Sequence, residues 1–258
     1  MKLSILIVNW NTKKLVANCI NSIYRFAPGF DYEIIVVDNA SRDGSLEALR
    51  GNFSTNPEVK IIGSTENLGF AKGNNLAYER SSGEYVLLLN PDTQVRAGSL
   101  EKLVGYLDAH PEAGVAGGQI INPDGTVQPS VRKFPELWSS LLMLTGLYRV
   151  LRPKSYLMDD FDYAREQAVD QVMGAVLLTR RPVIEELGFL DEGFWLWYEE
   201  VDFCYRVKRA GHRVMYCPEA VFMHLGGKSF SQMPILAKKK VMARSLFYYF
   251  RKRWQEKH

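Results

Sequence analysis

The chain has 258 residues, 47% hydrophobic and 24% charged, with 20 glycines and 11 prolines. That composition excludes a disordered, collagen-like or coiled-coil protein, and the length suffices for one large domain or two small ones with a proper core. The formal net charge of +3 is uneven: from Pro234 onward eight Lys/Arg face Glu256 alone, which leaves about −4 on the rest. The body therefore does not read as a nucleic-acid binder, and the basic tail is a separate feature.

Taken in chain order, Leu3–Val8 is a continuous β-rich run. Thr12–Phe26 follows with Leu15, Val16, Cys19, Ile20 and Ile23 at helical spacing. Glu33–Asp38 predicts a second strand and Asp43–Arg50 a short helix opened by a Ser-Arg-Asp-Gly turn. Val59–Gly63 is a third strand, Phe70–Ser81 a helix, Tyr85–Leu89 a fully apolar fourth strand and Ser99–His110 another helix. Apolar strands alternating with amphipathic helices predict an α/β fold with a mostly parallel sheet covered on both faces. The second half is more mixed. Asn122-Pro-Asp-Gly is a turn signal within a hairpin, and Pro129–Asp170 has no strand period and reads as an insertion. Val172–Thr179 returns as a strand, Pro182–Leu187 and Glu199–Arg209 as helices, Arg213–Cys217 as a strand and Ile235 onward as a long helix.

Cys19, Cys204 and Cys217 are widely spaced and form no CxxC. That pattern fits a reducing compartment better than a disulfide scaffold or a zinc site. The N-terminal apolar run is too short for a signal peptide, and no stretch reaches about 18 uninterrupted apolar residues. The longest, Leu137 to Leu151, is broken by Ser139, Ser140, Thr145, Gly146 and Arg149. The expectation is a cytoplasmic protein that at most rests on the inner face of the cell membrane.

Several chemistries lack their motifs. No GxGxxG follows the first strand, Phe222 stands where a P-loop ending in Gly-Lys-Ser needs its first glycine, and neither GxSxG nor HExxH occurs. What the strand ends do carry is polar: Asn9-Trp10-Asn11, Asp38-Asn39 and Asn90-Pro91-Asp92. In open α/β sheets ligands bind there. Asp92, on a proline-fixed turn, suits either a hard divalent cation completed by a ligand's phosphates or a simple cap. Glu199-Glu200-Val201-Asp202 opens a helix; Glu200 falls on the stripe of Phe203, Cys204 and Val207, whereas Glu199 and Asp202 fall with Arg206 and Arg209. Glu200 is thus the carboxylate expected to enter a semi-buried site, against the alternative of three acids favoured by the helix dipole. His224 precedes Leu-Gly-Gly-Lys228-Ser229, a group that could approach phosphate oxygens.

These pieces, in this order, resemble glycosyltransferase family 2, inverting enzymes with a GT-A fold, and most of all its rhamnosyltransferase-like branch. The residues carrying the resemblance are Ser4–Asn11, Val36–Ser45, Asn67–Asn75, Leu88–Thr93, Gly174–Leu178, Phe194–Asp202 and His224–Ser229. It implies one GT-A domain over 1–233, with a nucleotide-sugar half (1–120) and an acceptor and catalytic half (121–233), followed by a basic aromatic helix over 234–258. It further implies that Val8, Asn9, Trp10, Asp38, Asn39 and Asp43 hold the nucleoside, with Asn67, Gly69 and Lys72 lining the same pocket. Asn90-Pro91-Asp92 stands where the family has its DXD motif, so Asp92 would ligate Mg²⁺ or Mn²⁺ bridging the diphosphate. His224 would help at metal or diphosphate, and Lys228 at phosphate. Glu200 takes the place of the catalytic base, with Glu199 as its rival. Asn90 in place of the first acid removes one charged ligand, and Glu in place of Asp lengthens the base by one methylene.

The implied activity is transfer of L-rhamnose from dTDP-rhamnose to a glycan or polyprenyl-linked saccharide in surface polysaccharide and cell wall synthesis. The alternatives are a UDP-hexose or UDP-N-acetylhexosamine transferase, and a non-catalytic sugar-nucleotide or glycan-binding protein on the same fold. The tail, with Lys238–Lys240, Leu246–Phe250 and Arg251–Trp254, suits either an anionic membrane surface, with Leu137–Leu151 as a second contact, or a cover for the core or a dimer interface.

Overall fold

The computed structural model describes residues 1–145, 154–158, 160–227 and 232–256. Four strands are parallel: β1 (Leu3–Asn9), β2 (Tyr32–Asp38), β3 (Val59–Gly63) and β4 (Tyr85–Leu89), in spatial order β3-β2-β1-β4. Helices α1 (Lys13–Arg25), α2 (Ser45–Phe53) and α3 (Gly69–Glu79) make the crossovers. Each strand is apolar because both of its faces are covered: Leu3, Ile5 and Ile7 pack with α1, and Leu6, Ile35 and Val37 with α3. These elements match the sequence reading to within a few residues at each end.

Beyond β4 the sheet becomes mixed. After β5 (Thr93–Val95) and α4 (Ser99–Ala109), β6 (Ala113–Ile121) lies two places from β4. A later strand, β10 (Val176–Arg180), inserts between them, antiparallel to both. The chain between adds β7 (Val131–Arg132), α5 (Leu137–Thr145), α6 (Lys154–Leu157), β8 (Gln167–Val169) and β9 (Gln171–Val172). So 129–170 is not structureless: β7 pairs with β9, and β8 with the last strand. The single strand expected over Val172–Thr179 is two, parted at 173–175, where the Met173 N–H donates to the Ser130 carbonyl. The strand expected over Arg213–Cys217 continues as β11 (Arg213–His224), its register shifting around Pro218, a place where a bulge tolerates a residue without an N–H.

Two further helices, α7 (Arg181–Leu187) and α8 (Glu199–Arg209), precede a C-terminal α9 (Ile235–Gln255). Helix α9 packs Leu246 and Tyr249 against Phe194, Tyr198 and Val201. It also brings charge to charge. Asp202 in the first turn of α8 is fully buried and pairs with Arg253, with Lys252 Nζ at 2.9 Å and with Arg206 Nε at 2.8 Å. Lys252 reaches Asp191 at 2.6 Å as well. The Asp202–Arg206 spacing read from the sequence thus forms, but on a covered face of the helix.

Among the described residues no helix is long and apolar enough to cross a membrane, and Cys19, Cys204 and Cys217 are buried and free. Taking one cation from a buried carboxylate costs about 3–5 kcal/mol when nothing replaces it. With Lys252 and Arg206 still in place, Arg253→Met should lower unfolding stability by about 3 kcal/mol or somewhat less in a urea melt. A loss within 0.5 kcal/mol would mean that the pair contributes little.

Candidate active site

The carboxyl ends of β1, β2 and β4 meet in one cleft, and backbone and side-chain bonds fix their spacing. The Asn39 N–H donates to the Asn9 carbonyl at 2.8 Å. Asn9 Nδ2 donates to Asp38 Oδ2 at 2.8 Å, and the Ser41 N–H donates to Asp38 Oδ1 at 3.0 Å. Asp38 and Asn9 are therefore buried behind the cleft, where they brace the loop. Asp43 accepts from the Lys13 and Ser45 N–H groups and ties that loop to the starts of α1 and α2; these bonds hold its carboxyl below the usual range against the opposing effect of burial.

The cleft wall comprises Val8, Trp10, Asn39, Asn67, Gly69, Phe70, Asn90, Asp92, Trp195 and Leu196. Asn39 donates to the Gly69 carbonyl at 2.9 Å and accepts from the Leu68 N–H at 3.2 Å. Gly69 has φ +79°, and a Cβ there would stand 2.2 Å from the Trp195 carbonyl oxygen. That oxygen accepts the Phe70 N–H at 2.8 Å, so only glycine lets α3 start this close to the 189–198 loop. Lys72 is exposed on α3 and lines neither cavity described here. Lys228 lies outside the described residues.

Asp92 and His224, far apart in sequence, are brought together by strand pairing. Thr93 opposes His224 in the antiparallel β5–β11 ladder, and the Leu225 N–H donates to the Asp92 carbonyl at 3.0 Å. Both side chains are buried, with His224 Nε2 at 3.1 Å from Asp92 Oδ1. On the other ring edge Nδ1 stands 2.7 Å from Gln128 Oε1, while Gln128 Nε2 donates to Asn122 Oδ1 at 3.0 Å. Gln128 Oε1 thus accepts a hydrogen bond from Nδ1–H and leaves Nε2 as the ligating atom. Nε2 makes no directed hydrogen bond of its own. A carboxylate oxygen beside an imidazole lone pair is a donor set that a divalent cation fits. Among the described residues no group of three His, Cys, Asp or Glu side chains could hold a metal. A cation here would keep waters or take ligand phosphates, as Mg²⁺ and Mn²⁺ commonly do.

A second, wider cavity of about 380 Å³ adjoins the first, sharing Phe70, Asn90, Leu196 and Gly227 with it. It is lined by Arg132, Trp197, Glu199, Glu200 and His224. The two glutamates open α8 directly after Trp197 and Tyr198, whose φ values of +65° and +77° are left-handed. Such a backbone costs bulky residues about 1–3 kcal/mol each. It persists because Tyr198 packs on Tyr249 of α9 and Ser245 Oγ donates to the Leu196 carbonyl at 2.7 Å.

Glu200 is half-buried, with Gly174 packed against it, as its place on the helix predicts. Glu199, expected on the opposite, outer face with Asp202, is also buried, at 3% exposure. On that face Asp202 meets Lys252 and Arg253 of α9 and Glu199 lines the second cavity, neither of which one helix seen alone reveals. Burial raises both carboxyls, and the Glu200 charge raises Glu199 further. For Glu200 the Arg132 charge and nearby backbone N–H groups oppose burial. Burial therefore keeps the pair from readily carrying two charges, and the Arg132 charge favours the ionised form of Glu200. One oxygen of each, Oε2, is buried without a hydrogen-bond partner.

Phe70, Arg132, Trp195 and Trp197 were not singled out from the sequence as site residues. Phe70, Trp195 and Trp197 lie inside the motifs that carry the family resemblance, whereas Arg132 lies in 129–170, which has no strand period.

The sequence profile described as glycosyl transferase family 2 matches residues 4–174, and the chain belongs to that family. It is 29% identical over 210 residues to the N-acetylglucosaminyl-diphospho-decaprenol L-rhamnosyltransferase of Mycobacterium tuberculosis, a match over 74% of this chain and 66% of that protein. It is 27% identical over 226 residues to the low-salt glycan biosynthesis hexosyltransferase Agl10 of Haloferax volcanii, over 86% and 66%. The matched part thus spans just under two thirds of these relatives. The fold is shared with the mannosyltransferase PcManGT of Pyrobaculum calidifontis, solved with GDP-Man and Mn²⁺, at a TM-score of 0.63 and 22% identity over 88% of this chain and 57% of that one.

Because burial raises the Glu199 carboxyl, the folded chain binds that proton more tightly than the unfolded chain does. Stability is then lost as pH rises above the ordinary carboxylate range, near 4.3, toward the raised value. Glu199→Gln should melt at a higher temperature than the parent at pH 8, and the difference should vanish below about pH 4. A gap independent of pH would show that ionisation of Glu199 is not its cause.

Proposed function

We propose that the protein is an inverting glycosyltransferase that moves a sugar from a nucleoside diphosphate in the strand-end cavity to a hydroxyl presented in the second cavity. The observation that carries this reading is the junction of the two cavities at Asn90 and Leu196: Asp92 lines the first, Glu199 and Glu200 line the second, and His224 stands on the second-cavity wall within 3.1 Å of Asp92. Val8, Trp10, Asn39, Asn67 and Gly69 would hold the nucleoside, braced from behind by Asn9, Asp38 and Asp43. Asn90, Asp92 and His224 would face the diphosphate. A divalent cation bound at Asp92 and His224 would stabilise the charge that develops on the leaving phosphate.

Glu200 is the base. It takes the proton from the acceptor hydroxyl as that oxygen bonds to the anomeric carbon; the bond from that carbon to the diphosphate oxygen breaks on the opposite face, and the configuration inverts. Glu199, protonated beside it, keeps the pair from carrying two charges in a poorly hydrated site. By analogy with the mycobacterial relative, the sugar is L-rhamnose and the acceptor a lipid-diphosphate-linked saccharide of surface polysaccharide synthesis; dTDP is the carrier that the family resemblance implies. The Haloferax hexosyltransferase is the reason to test UDP-hexoses alongside.

A lipid-linked acceptor also gives the outer face of α9 a role. Leu236, Phe247 and Trp254 are exposed and align along one stripe, flanked by exposed Lys239, Lys240, Arg244 and Arg251. Leu137 and Trp138 of the neighbouring α5 are exposed as well; 146–151 of the expected second contact lie outside the described residues. Such a surface suits anionic headgroups with aromatics at the interface.

Thermal shifts with dTDP, UDP and GDP, each with and without Mn²⁺ or Mg²⁺, test the donor site. A ligand at 100 times its Kd contributes about 2.7 kcal/mol. The expected result is a metal-dependent shift, largest with dTDP. Glu200→Gln should keep that shift while transfer falls about 10²–10⁴-fold, and Asp92→Asn should lose its metal-dependent part. No shift with any nucleotide would overturn the reading. For the tail, Phe247→Ser with Trp254→Ser should abolish sedimentation with phosphatidylglycerol vesicles and leave nucleotide shifts intact; unchanged sedimentation would exclude the stripe as the contact.

A further inference from the structure

Among the described residues Arg132 is the one cation on the wall of the second cavity, and nothing in the chemistry above uses it directly. It ends the two-residue strand β7, opposite Gln171 of β9. Its side chain lines the cavity with Glu199, Glu200 and His224 but does not reach the strand-end cavity that holds Asp92 and Trp10. Among the described residues no carboxylate lies within 4.0 Å of its guanidinium. Its guanidinium is a side-chain hydrogen-bond partner of the Tyr156 phenol, whose ring centroid is 6.0 Å away, and keeps its other N–H donors for a ligand, while its charge acts on Glu200. Arg132 therefore stands beyond contact distance from Glu200 yet within its electrostatic reach, and open cavity lies along the wall they share.

A sugar ring with one hydroxyl at Glu200 fills such a gap and presents its far substituents to Arg132. A planar guanidinium with five N–H donors matches phosphate oxygens in pairs. We propose that Arg132 binds a phosphate carried on the acceptor sugar, so that the second cavity selects glycosyl phosphates or diphosphates over neutral glycosides. The inference rests on the transferase reading and deepens it: the anion recognised here belongs to the acceptor, whereas the donor's diphosphate belongs at Asp92 and His224. Arg132 then orients the acceptor hydroxyl on Glu200 by holding the opposite end of the ring.

The test uses two probes, an alkyl diphosphate of N-acetylglucosamine and the alkyl glycoside of the same sugar without phosphate. Binding of each to the full chain is followed by tryptophan fluorescence with dTDP and Mn²⁺ present at saturation, so that no turnover is needed. Arg132→Ala should weaken the diphosphate probe about 10–100-fold, the range of a hydrogen bond to a charged group. It should leave the glycoside and dTDP affinities unchanged. Arg132→Lys should recover part of the loss, and in transfer assays the effect should fall on KM for the phosphorylated acceptor. Equal weakening of both probes, weakening of dTDP, or no preference for the phosphorylated probe in the parent would each overturn the assignment. Intact phosphate-selective binding with no transfer to any acceptor would instead sink the transferase reading and leave Arg132 as the anion site.

Discussion

The site depends on the neutralisation of one fully buried carboxylate. Asp202 sits in the first turn of α8 and is met by Arg253, Lys252 and Arg206, from two helices separated by 25 residues of chain. An unpaired carboxylate at that depth would not remain ionised, or the helix would not dock. Its pairing anchors α9 across the turn that also presents Glu199 and Glu200. Those two glutamates can then be left short of partners, each with one orphaned oxygen, because the helix that carries them is held by something else. The left-handed residues Trp197 and Tyr198 are tolerated for the same reason: α9 over-determines the loop. Stability gained at Asp202 offsets the strain and the orphaned oxygens next door, on the wall of the second cavity.

A second constraint sets the other half of the site. Antiparallel insertion of β10 between β4 and β6 places the Ala175 carbonyl where the Asn90 N–H donates to it at 3.1 Å. The 90–92 turn is thereby fixed to the segment that packs on Glu200. On the opposite side β5 pairs with the end of β11, and that register alone brings His224 to Asp92. The parallel half supplies a generic strand-end cleft. The mixed half supplies both His224 and Glu200, so the two cavities meet on the seam where the sheet changes direction.

That division explains what could be read beforehand. Strands β1, β2 and β4 are buried on both faces, so their apolar runs are continuous and were legible, as were the polar residues that end them. Strand β6 was not, because its sequence, Ala-Gly-Val-Ala-Gly-Gly, is written by close packing rather than by β preference. A Cβ at Gly117 would stand 2.6 Å from Val172, and one at Gly118 would stand 2.4 Å from the Ala220 carbonyl. The burial of Asp202 was hidden for a related reason: which face of α8 is covered is decided by a helix from the end of the chain. Arg132 escaped because a two-residue strand carries no period, and its meaning comes only from the cavity it borders.

The basic tail, a single charge excess in the sequence, divides into two in space. Lys252 and Arg253 turn inward and are spent on Asp191 and Asp202, while Lys239, Lys240, Arg244 and Arg251 face out around an apolar stripe. A 21-residue helix spans about 30 Å and behaves as one body, so the surface it shows outward and the turn it braces inward are parts of the same rigid element. Deleting residues 234–258 would therefore remove both at once, and loss of activity in such a truncation would say nothing about a surface. Only substitutions confined to Phe247, Trp254 and their basic neighbours separate what the helix touches outside from what it holds in place inside.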